Sequence, residues 1–286
     1  MLKLQTFFEG SDWQNRNLDS YLYHTEYLLF FVFAVILCIG LPLYLRRFQK
    51  STIRKVLIAI WATALAYDIF KWIISWTYTA ITNQEFSMFA GLPLHTCSSY
   101  WYVAPLAILL PEGKIKTAFM NYQCTILLWG GMMGMFLCVA MMTYYSFTSF
   151  YGSQIQIYHM LILLTTSTML ITGYYKPKKK DYIYSFLLFV AIAIPVYIFN
   201  CIFETDYMYT YNQSALYIFQ FIYDLLPHRI CWTFLAVAAY FGLCYLLTYM
   251  SIGIRALYCR IVEKVANKKC TSTPSDAADE IGAGKA

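Results

Sequence analysis

Residues 27–45 read YLLFFVFAVILCIGLPLYL, an uncharged stretch that stops at Arg46 and Arg47. A helix needs about 20 apolar residues to cross a bilayer, so this stretch predicts a membrane-spanning helix. Six further apolar runs follow along the chain, near residues 56–81, 89–111, 117–142, 155–174, 182–203 and 230–253. The sequence therefore predicts an all-α integral membrane protein, a bundle of about seven transmembrane helices.

The composition of the whole chain agrees with a membrane protein. Of the 286 residues, 60% are hydrophobic and 13% are charged, whereas about 25% are charged in a typical soluble protein. A water-soluble globule is excluded by this balance, and a disordered chain is excluded because disorder needs low hydrophobicity. The nine cysteines include no C-x-x-C pair and lie mostly inside apolar runs, so they indicate neither a disulfide framework nor a zinc framework.

The apolar runs divide the chain into three parts. Residues 1–26 are polar with mixed charges and are predicted to be an extracytoplasmic N-terminal segment. Residues 27–258 are predicted to form the polytopic membrane domain. Within it, residues 204–229 contain a shorter run, SALYIFQFIYDLL, which we interpret as an interfacial or re-entrant helix. Residues 264–286 become small and polar and are predicted to be a disordered cytoplasmic tail.

Loop charges predict the orientation of the chain. The loops after the first, third and fifth runs, together with the C-terminal end, hold 17 Lys and Arg residues, whereas the N-terminal segment and the other loops hold three. Basic residues are retained on the cytoplasmic side, so the N-terminus is predicted outside and the C-terminus inside. The basic stretch KPKKK at residues 176–180 is predicted to attract anionic inner-leaflet lipid and not a nucleic acid. The membrane is the plasma membrane of a bacterium or an endomembrane of a eukaryote.

Histidine and charged residues gather toward the outer side of the predicted bundle. His95 and Cys97 enter the third run from that side, and His159 lies about one turn into the fifth. Asp68 and Lys71 lie three residues apart on one face of the second helix, where they can neutralise each other. The pair fits either an interhelical staple or a functional site in which it orients a catalytic or ligand-binding group.

The segment LPLHTCS at residues 92–98 concentrates nucleophile chemistry, because an imidazole, two hydroxyls and a thiol follow one another closely. Positions two apart on a regular helix point about 200° away from each other, so His95 cannot easily activate Cys97. His159, at similar depth on another helix, is the better base for a Cys97 thiolate. The alternative is a packed cysteine beside a hydrogen-bonded core histidine. In the fourth run, Gly130 and Gly134 form a G-x-x-x-G motif, which is typical of close helix packing.

Neither a metal nor another cofactor is predicted. All four histidines fall on the outer side, which suggests zinc, but only two of them lie within the predicted spans and no H-E-x-x-H motif occurs. The sequence also lacks a glycine-rich phosphate loop and a dinucleotide fingerprint.

Four motifs resemble those of the transmembrane protein 164 family, whose bacterial members are called YwaF-like. Residues 92–98 are similar to the L-P-L-H-x-C-S signature of that family, and Tyr158-His159 resembles its aromatic-His opening of a later helix. The Asp68-x-x-Lys71 pair resembles an acidic-x-x-Lys element in its second span. The fourth motif resembles an asparagine followed by a short loop, here without the Gly and Asn of the family pattern, and comprises Asn200 and Thr205-Asp206-Tyr207-Met208-Tyr209.

The resemblance implies a multi-pass lipid enzyme or an enzyme-like protein. Animal members of the family are associated with acyl transfer onto lysophospholipids through a Cys and a His, which correspond to Cys97 and His159. The family is also distantly similar to the androgen-induced protein 1 hydrolases, which cleave fatty acyl esters with a Thr and a His. Thr96 is therefore a second candidate nucleophile.

Two main functions follow from these residues. The first is a lipid acyltransferase or acyl-ester hydrolase acting on a phospholipid or lysophospholipid, in which Cys97 attacks, His159 is the base, and His95 or the Asp68/Lys71 pair stabilises or orients. Three further polar residues are predicted to support this site: Asn200, Asp206 and Tyr207. The alternative is a non-enzymatic transporter or receptor for a small cationic or lipid-like ligand, bound by Asp68 and the outer aromatic residues. A scaffold for partner membrane proteins is a third interpretation.

Overall fold

A computed structural model describes residues 25–82, 92–136, 150–205, 207–209 and 229–271. These ranges are helical and contain no β-strand. Their eight α-helices are, in chain order, α1 Thr25–Leu45, α2 Lys50–Thr82, α3 Tyr100–Leu109, α4 Lys114–Cys124, α5 Ile126–Phe136, α6 Phe150–Ile171, α7 Asp181–Phe203 and α8 Arg229–Thr271. One turn of 3-10 helix, Tyr207–Tyr209, follows α7.

Five of the described helices are long and apolar enough to cross a membrane. They are α1, α6 and α7 over their full lengths, Lys50–Thr77 of α2 and Val237–Arg260 of α8. Five of the predicted runs, near residues 27–45, 56–81, 155–174, 182–203 and 230–253, are therefore confirmed as helices. The orientation, with the N-terminus outside and the C-terminus inside, stays a prediction.

The predicted third run, residues 89–111, is not one continuous helix. Residues 92–99 form a series of turns, and the helix that follows, α3, has ten residues. A helix of that length spans about 15 Å, half of the hydrocarbon thickness of a bilayer. Local chemistry explains the turns, because Pro93 lacks an N–H and the hydroxyl of Ser99 donates to the carbonyl of Thr96 at 2.6 Å.

The predicted fourth run, residues 117–142, is also divided, because α4 and α5 meet at Thr125. This residue has φ −123° and ψ −82°. Its hydroxyl donates to the carbonyl of Asn121 at 2.7 Å and lies 2.8 Å from the hydroxyl of Ser185 on α7. A threonine bonded to the preceding turn competes with regular helix. In the described ranges, five long helices and three short ones thus replace the seven uniform spans that hydropathy predicts.

The last helix is longer than the sequence indicates. α8 continues to Thr271, past residue 258 and into the predicted tail that begins at residue 264. Residues 272–286, residues 1–24 and the whole short run SALYIFQFIYDLL within residues 204–229 lie outside the described residues. The predictions for those three segments stay predictions.

α6 lies at the centre of the bundle, where it contacts α1, α2, α4, α5 and α8. Polar side chains fix it there. Tyr100 of α3 and Thr165 of α6 share a hydrogen bond of 2.6 Å, and the Gln123 amide of α4 donates to the hydroxyl of Thr166 at 3.1 Å. Polar groups in a membrane helix face the interior of the bundle because lipid cannot satisfy them. For the same reason, the face of α6 that bears candidate site residues points into the bundle.

Candidate functional site

The turns at residues 92–99 present three of the predicted site residues. His95, Thr96 and Cys97 are all half-buried there. The backbone N–H of Ser99 donates to the carbonyl of His95 at 3.0 Å, which closes one turn before α3 begins. Residues 92–99 are turns and not a regular helix, so the helical spacing from which the divergence of His95 and Cys97 was predicted does not apply to this segment.

Gly130 of α5 makes room for the Cys97 thiol. A Cβ atom at position 130 would lie 2.9 Å from the Cys97 sulfur and 3.8 Å from its Cα. Glycine lets the turn that carries Cys97 lie directly on the backbone of α5, as small residues do at helix interfaces in membranes.

Gly134, one turn further along α5, makes room for the His159 ring. A Cβ atom at position 134 would lie 2.0 Å from Cδ2 and 2.2 Å from Nε2 of His159. No side chain, not even that of alanine, fits between this ring and α5 without moving one of them. The G-x-x-x-G motif therefore does more than bring two helices close, because it leaves space for the side chains of Cys97 and His159.

The thiol of Cys97 and the imidazole of His159 thus occupy adjacent positions on one face of α5. Residues four apart in a helix have Cβ positions about 5–6 Å from each other on the same face. The sulfur lies against the first of these positions and Nε2 against the second. Folding brings together two side chains that are 62 residues apart in the sequence.

The backbone of α6 selects the tautomer of His159. Its Nδ1 lies 2.7 Å from the carbonyl oxygen of Ile155. A carbonyl can only accept a hydrogen bond, so Nδ1 carries the proton and the neutral ring has its lone pair on Nε2. Nε2, the atom beside Gly134, is therefore the one that can accept a proton.

His95 is held by a series of contacts that ends at Asn200 of α7. Its ring packs edge-on against Tyr207, with centroids 4.8 Å apart, and the Tyr207 hydroxyl accepts from the N–H of Leu92 at 2.9 Å. Asn200 bonds the Tyr207 backbone at both its carbonyl, 2.8 Å, and its N–H, 3.0 Å. Burial raises the pKa of the Tyr207 phenol, which stays neutral. The predicted residues Asn200 and Tyr207 thus position His95, while Asp206 lies outside the described residues.

Asp68 joins three helices, which favours the interhelical staple over the ligand-binding role. Its Oδ1 accepts from Lys71 at 2.5 Å and from Gln154 of α6 at 2.9 Å, and its Oδ2 accepts from the Trp101 indole of α3 at 2.7 Å. The residue is 5% exposed. A buried carboxylate with three donors is already satisfied and would have to lose one of them to bind a cationic ligand.

Two further hydroxyl groups lie near Cys97. Thr96, the second candidate nucleophile, precedes Cys97 in the same series of turns. Tyr158 is 5% exposed, and its hydroxyl has no hydrogen-bond partner in the described part of the chain. The Tyr158 ring packs edge-on against His159, with centroids 6.0 Å apart. A buried hydroxyl of this kind is a donor that a bound molecule could satisfy.

An apolar cavity of about 320 Å³ lies along the face of α6 that carries His159. Its accessible surface is apolar, and α1, α5 and α8 supply the rest of its wall. On the rim, Val35 and Ile39 of α1 are exposed, so the cavity opens sideways toward the lipid. Neither Cys97 nor His159 lines it. Four α6 residues do so at helical spacing from His159, one to three turns away: Leu163, Thr166, Ser167 and Leu170.

Sequence reasoning missed Trp101 and Gln154. Trp101 and Gln154 bond to Asp68 across separations of 33 and 86 residues, which no spacing rule detects. The available signal was that a buried carboxylate needs more donors than one lysine, and that Gln154 lies near the start of a helix predicted to span the membrane. In the described ranges, no group of three or more His, Cys, Asp or Glu side chains is arranged to hold a metal ion.

Comparison with known proteins identifies a family. The sequence model of the TMEM164 family matches residues 21–251, which include α1 to α7 and the candidate site. Neither a curated protein nor a solved structure matches the chain significantly.

Proposed function

Since this chain belongs to the TMEM164 family and is an integral, multi-pass membrane protein, we propose that it catalyses acyl chemistry on membrane lipids. In this proposal Cys97 is the nucleophile and His159 is its general base. The substrate is an acyl ester of a phospholipid, and the acceptor is the hydroxyl of a lysophospholipid or water.

The main support for the proposal is the close packing of Cys97 against Gly130 and of His159 against Gly134. Two glycines one turn apart leave space for a thiol and an imidazole, and Nε2 bears the lone pair that a base needs. A thiol activated by an imidazole is an established kind of nucleophile in proteins.

The chemistry is a two-step acyl transfer. Nε2 of His159 accepts the thiol proton as the Cys97 sulfur attacks the ester carbonyl, and the proton then passes to the departing lipid oxygen when the C–O bond breaks. The acyl group is now held as a thioester on Cys97. Nε2 next deprotonates the acceptor hydroxyl, which attacks the thioester and restores the thiol. His95, held by Tyr207, is a candidate donor for the oxyanion in both steps.

The apolar cavity supports a lipid substrate. It opens toward the membrane at α1, and it borders the face of α6 that carries His159, starting about one turn away. Its volume of about 320 Å³ is at the small end of ligand pockets, which suits one hydrocarbon chain better than a bulky ligand.

The test uses purified protein in lipid nanodiscs that contain a fluorescent phospholipid, with release and transfer of the labelled acyl chain as the measurement. We expect His159→Gln and Cys97→Ser to lower turnover about 10²–10⁴-fold. The matched control is Cys201→Ser, because Cys201 is an exposed thiol on α7, and this variant should keep wild-type turnover. Wild-type turnover in both site variants would exclude the dyad.

A trapping experiment separates Cys97 from Thr96. An acyl group on Cys97 is a thioester that neutral hydroxylamine cleaves, whereas an acyl group on Thr96 is a stable oxygen ester. A labelled intermediate that resists hydroxylamine and persists in Cys97→Ser would transfer the nucleophile's role to Thr96. Saturable binding of a cationic ligand that is lost in Asp68→Asn, without lipid turnover, would favour the receptor or transporter instead.

A further inference from the structure

A second cavity, of about 860 Å³, opens at the other end of α6, where α4 and α7 begin. Gly173, which lines it, follows His159 by 14 residues, or about 21 Å of helix. The cavity is therefore separate from the candidate site. Six lysines from three different loops or helix ends line it: Lys50, Lys114, Lys176, Lys178, Lys179 and Lys180.

The acidic residues in this wall form an ion pair with only one of the six cavity lysines, Lys50, in the described ranges. Glu112 accepts from Lys50 at 3.1 Å and from Lys116 at 3.2 Å, and the hydrogen bond from Lys50 is the main cause that lowers its pKa. Asp181 accepts from the Tyr175 hydroxyl at 2.7 Å and from the backbone N–H of Lys178 at 2.9 Å. The remaining five lysine side chains make no ion pair with any residue in the described ranges.

Two helix N-termini add to the positive potential of the cavity. α4 begins after Gly113 and α7 after Lys180, and neither terminus has a side-chain cap. Both capping residues line the cavity. A helix N-terminus attracts anions through its dipole, and both termini lie in the same concave surface as the lysines. At α7 the N–H groups of Asp181 and Ile183 already donate to the carbonyls of Lys178 and Lys180, so α7 contributes through its dipole and not through free N–H groups there.

Hydrogen bonds connect the floor of the cavity to neighbouring helices. The Tyr175 hydroxyl, which donates to Asp181, also lies 3.2 Å from the side-chain oxygen of Asn121, and the Tyr174 hydroxyl donates to the carbonyl of Ile108 at 3.3 Å. The Lys50 ammonium lies 5.3 Å from the centre of the Tyr174 ring. These bonds hold the α6–α7 connection in place, so its lysines surround a preformed space.

We propose that this cavity binds the phosphate group of an anionic ligand. Several lysines and two helix N-termini suit a multiply charged, oxygen-rich anion better than a single carboxylate. The volume leaves room for the group that the phosphate is attached to. A diffuse attraction of anionic lipid, which the KPKKK stretch alone predicts, becomes a defined site because Lys50 and Lys114 join it from elsewhere in the sequence. This inference does not depend on the acyl chemistry.

The phosphate can come from a lipid head group or from a soluble phosphate ester, and the choice of probes separates the two. The full-length protein in detergent is titrated with dioctanoyl phosphatidate, with glycerol 3-phosphate and with dioctanoyl phosphatidylcholine, and binding is read by native mass spectrometry. We expect phosphatidate to bind about tenfold more tightly than phosphatidylcholine. Equal affinity for glycerol 3-phosphate indicates a soluble ligand, and much weaker affinity indicates a lipid. Failure of both phosphomonoesters to bind overturns the site.

A charge-matched pair of variants tests the position. The double variant Lys114→Gln/Lys179→Gln changes two exposed cavity lysines, and Arg47→Gln/Lys55→Gln changes two exposed basic residues outside the cavity. We expect the first pair to lose about tenfold or more in phosphatidate affinity and the second less than twofold. All four residues are exposed, so the fold should tolerate the changes, and thermal unfolding checks this. Equal losses in the two variants would show a diffuse surface effect and would overturn the proposal.

Discussion

α1 and α6 have nearly the same length, but they lie in opposite environments. An 18-residue window of α1 has a mean hydropathy of 2.8, and 17% of the window is buried. The corresponding window of α6 has a mean hydropathy of 1.3, and 67% of it is buried. In a soluble protein the more apolar helix would be the inner one. Here the less apolar helix is inside, because lipid accepts exposed leucine and phenylalanine but cannot satisfy glutamine, threonine or histidine. Polarity in this chain therefore marks the interior and, with it, the candidate site.

The largest expected effect on the inner helix comes from removing the buried carboxylate of Asp68, which connects α2 and α3 to α6. Asp68→Ala leaves Lys71 without its carboxylate and leaves the donors of Trp101 and Gln154 unsatisfied. We expect a loss of about 3–5 kcal/mol in the free energy of unfolding, since removing one partner of a buried ion pair leaves the other charge uncompensated. Unfolding in detergent by heat or denaturant measures it. A loss below 1 kcal/mol would mean that α6 is held by apolar packing alone.

The next effect concerns the close contact between Gly134 of α5 and the His159 ring of α6. Gly134→Ala places a methyl group on the His159 ring, so the ring must move, and we expect turnover of labelled phospholipid to fall about 100-fold. The matched control is Gly131→Ala, whose methyl group would meet Leu163 of the same helix at 2.9 Å. This control perturbs the same interface without touching the histidine and should keep turnover within a fewfold range. Equal losses in both variants would attribute the effect to helix packing.

The smallest effect contrasts a hydrogen bond of α6 with the lipid-facing surface of α1. Thr165→Val leaves the Tyr100 hydroxyl without its partner, and we expect a loss of about 1 kcal/mol. Adding Tyr100→Phe removes the orphaned hydroxyl and should restore most of the stability. Ile36→Val in α1 alters a side chain that is 63% exposed and should change the free energy of unfolding by less than about 0.5 kcal/mol. A larger effect in α1 than in α6 would contradict the assignment of inner and outer helices.

The fold was predictable where apolar length alone decides it. The run at residues 27–45 became a helix at Thr25–Leu45, and four other runs were helical as expected. The runs at 89–111 and 117–142 were predicted wrongly as single helices, because mean hydropathy does not register a hydroxyl that bonds its own backbone. Ser99 and Thr125 are such residues: Ser99 precedes the first residue of α3, and Thr125 lies between α4 and α5.

The candidate site was predictable in its members but not in its arrangement. Residue type, depth and family resemblance selected Cys97 and His159, and the G-x-x-x-G motif indicated close packing at Gly130 and Gly134. The two glycines contact Cys97 and His159 because α5 and α6 pack antiparallel and because the turns before α3 lie against α5. Long-range contacts determine this packing. The donors that Trp101 and Gln154 provide to the Asp68 carboxylate were likewise visible only in the packed structure.

By itself, the sequence determined that this chain is a helical membrane protein, and it located the five long apolar helices together with their reactive side chains. It did not show that two further predicted spans are divided. These properties depend on composition and local spacing, and the bilayer acts on each apolar segment separately. Only the tertiary structure decided that α6 lies inside, that Asp68 joins helices, and that two glycines bring Cys97 and His159 to one helix face. Those outcomes depend on contacts between distant segments, whose free energies exist only once the helices have packed.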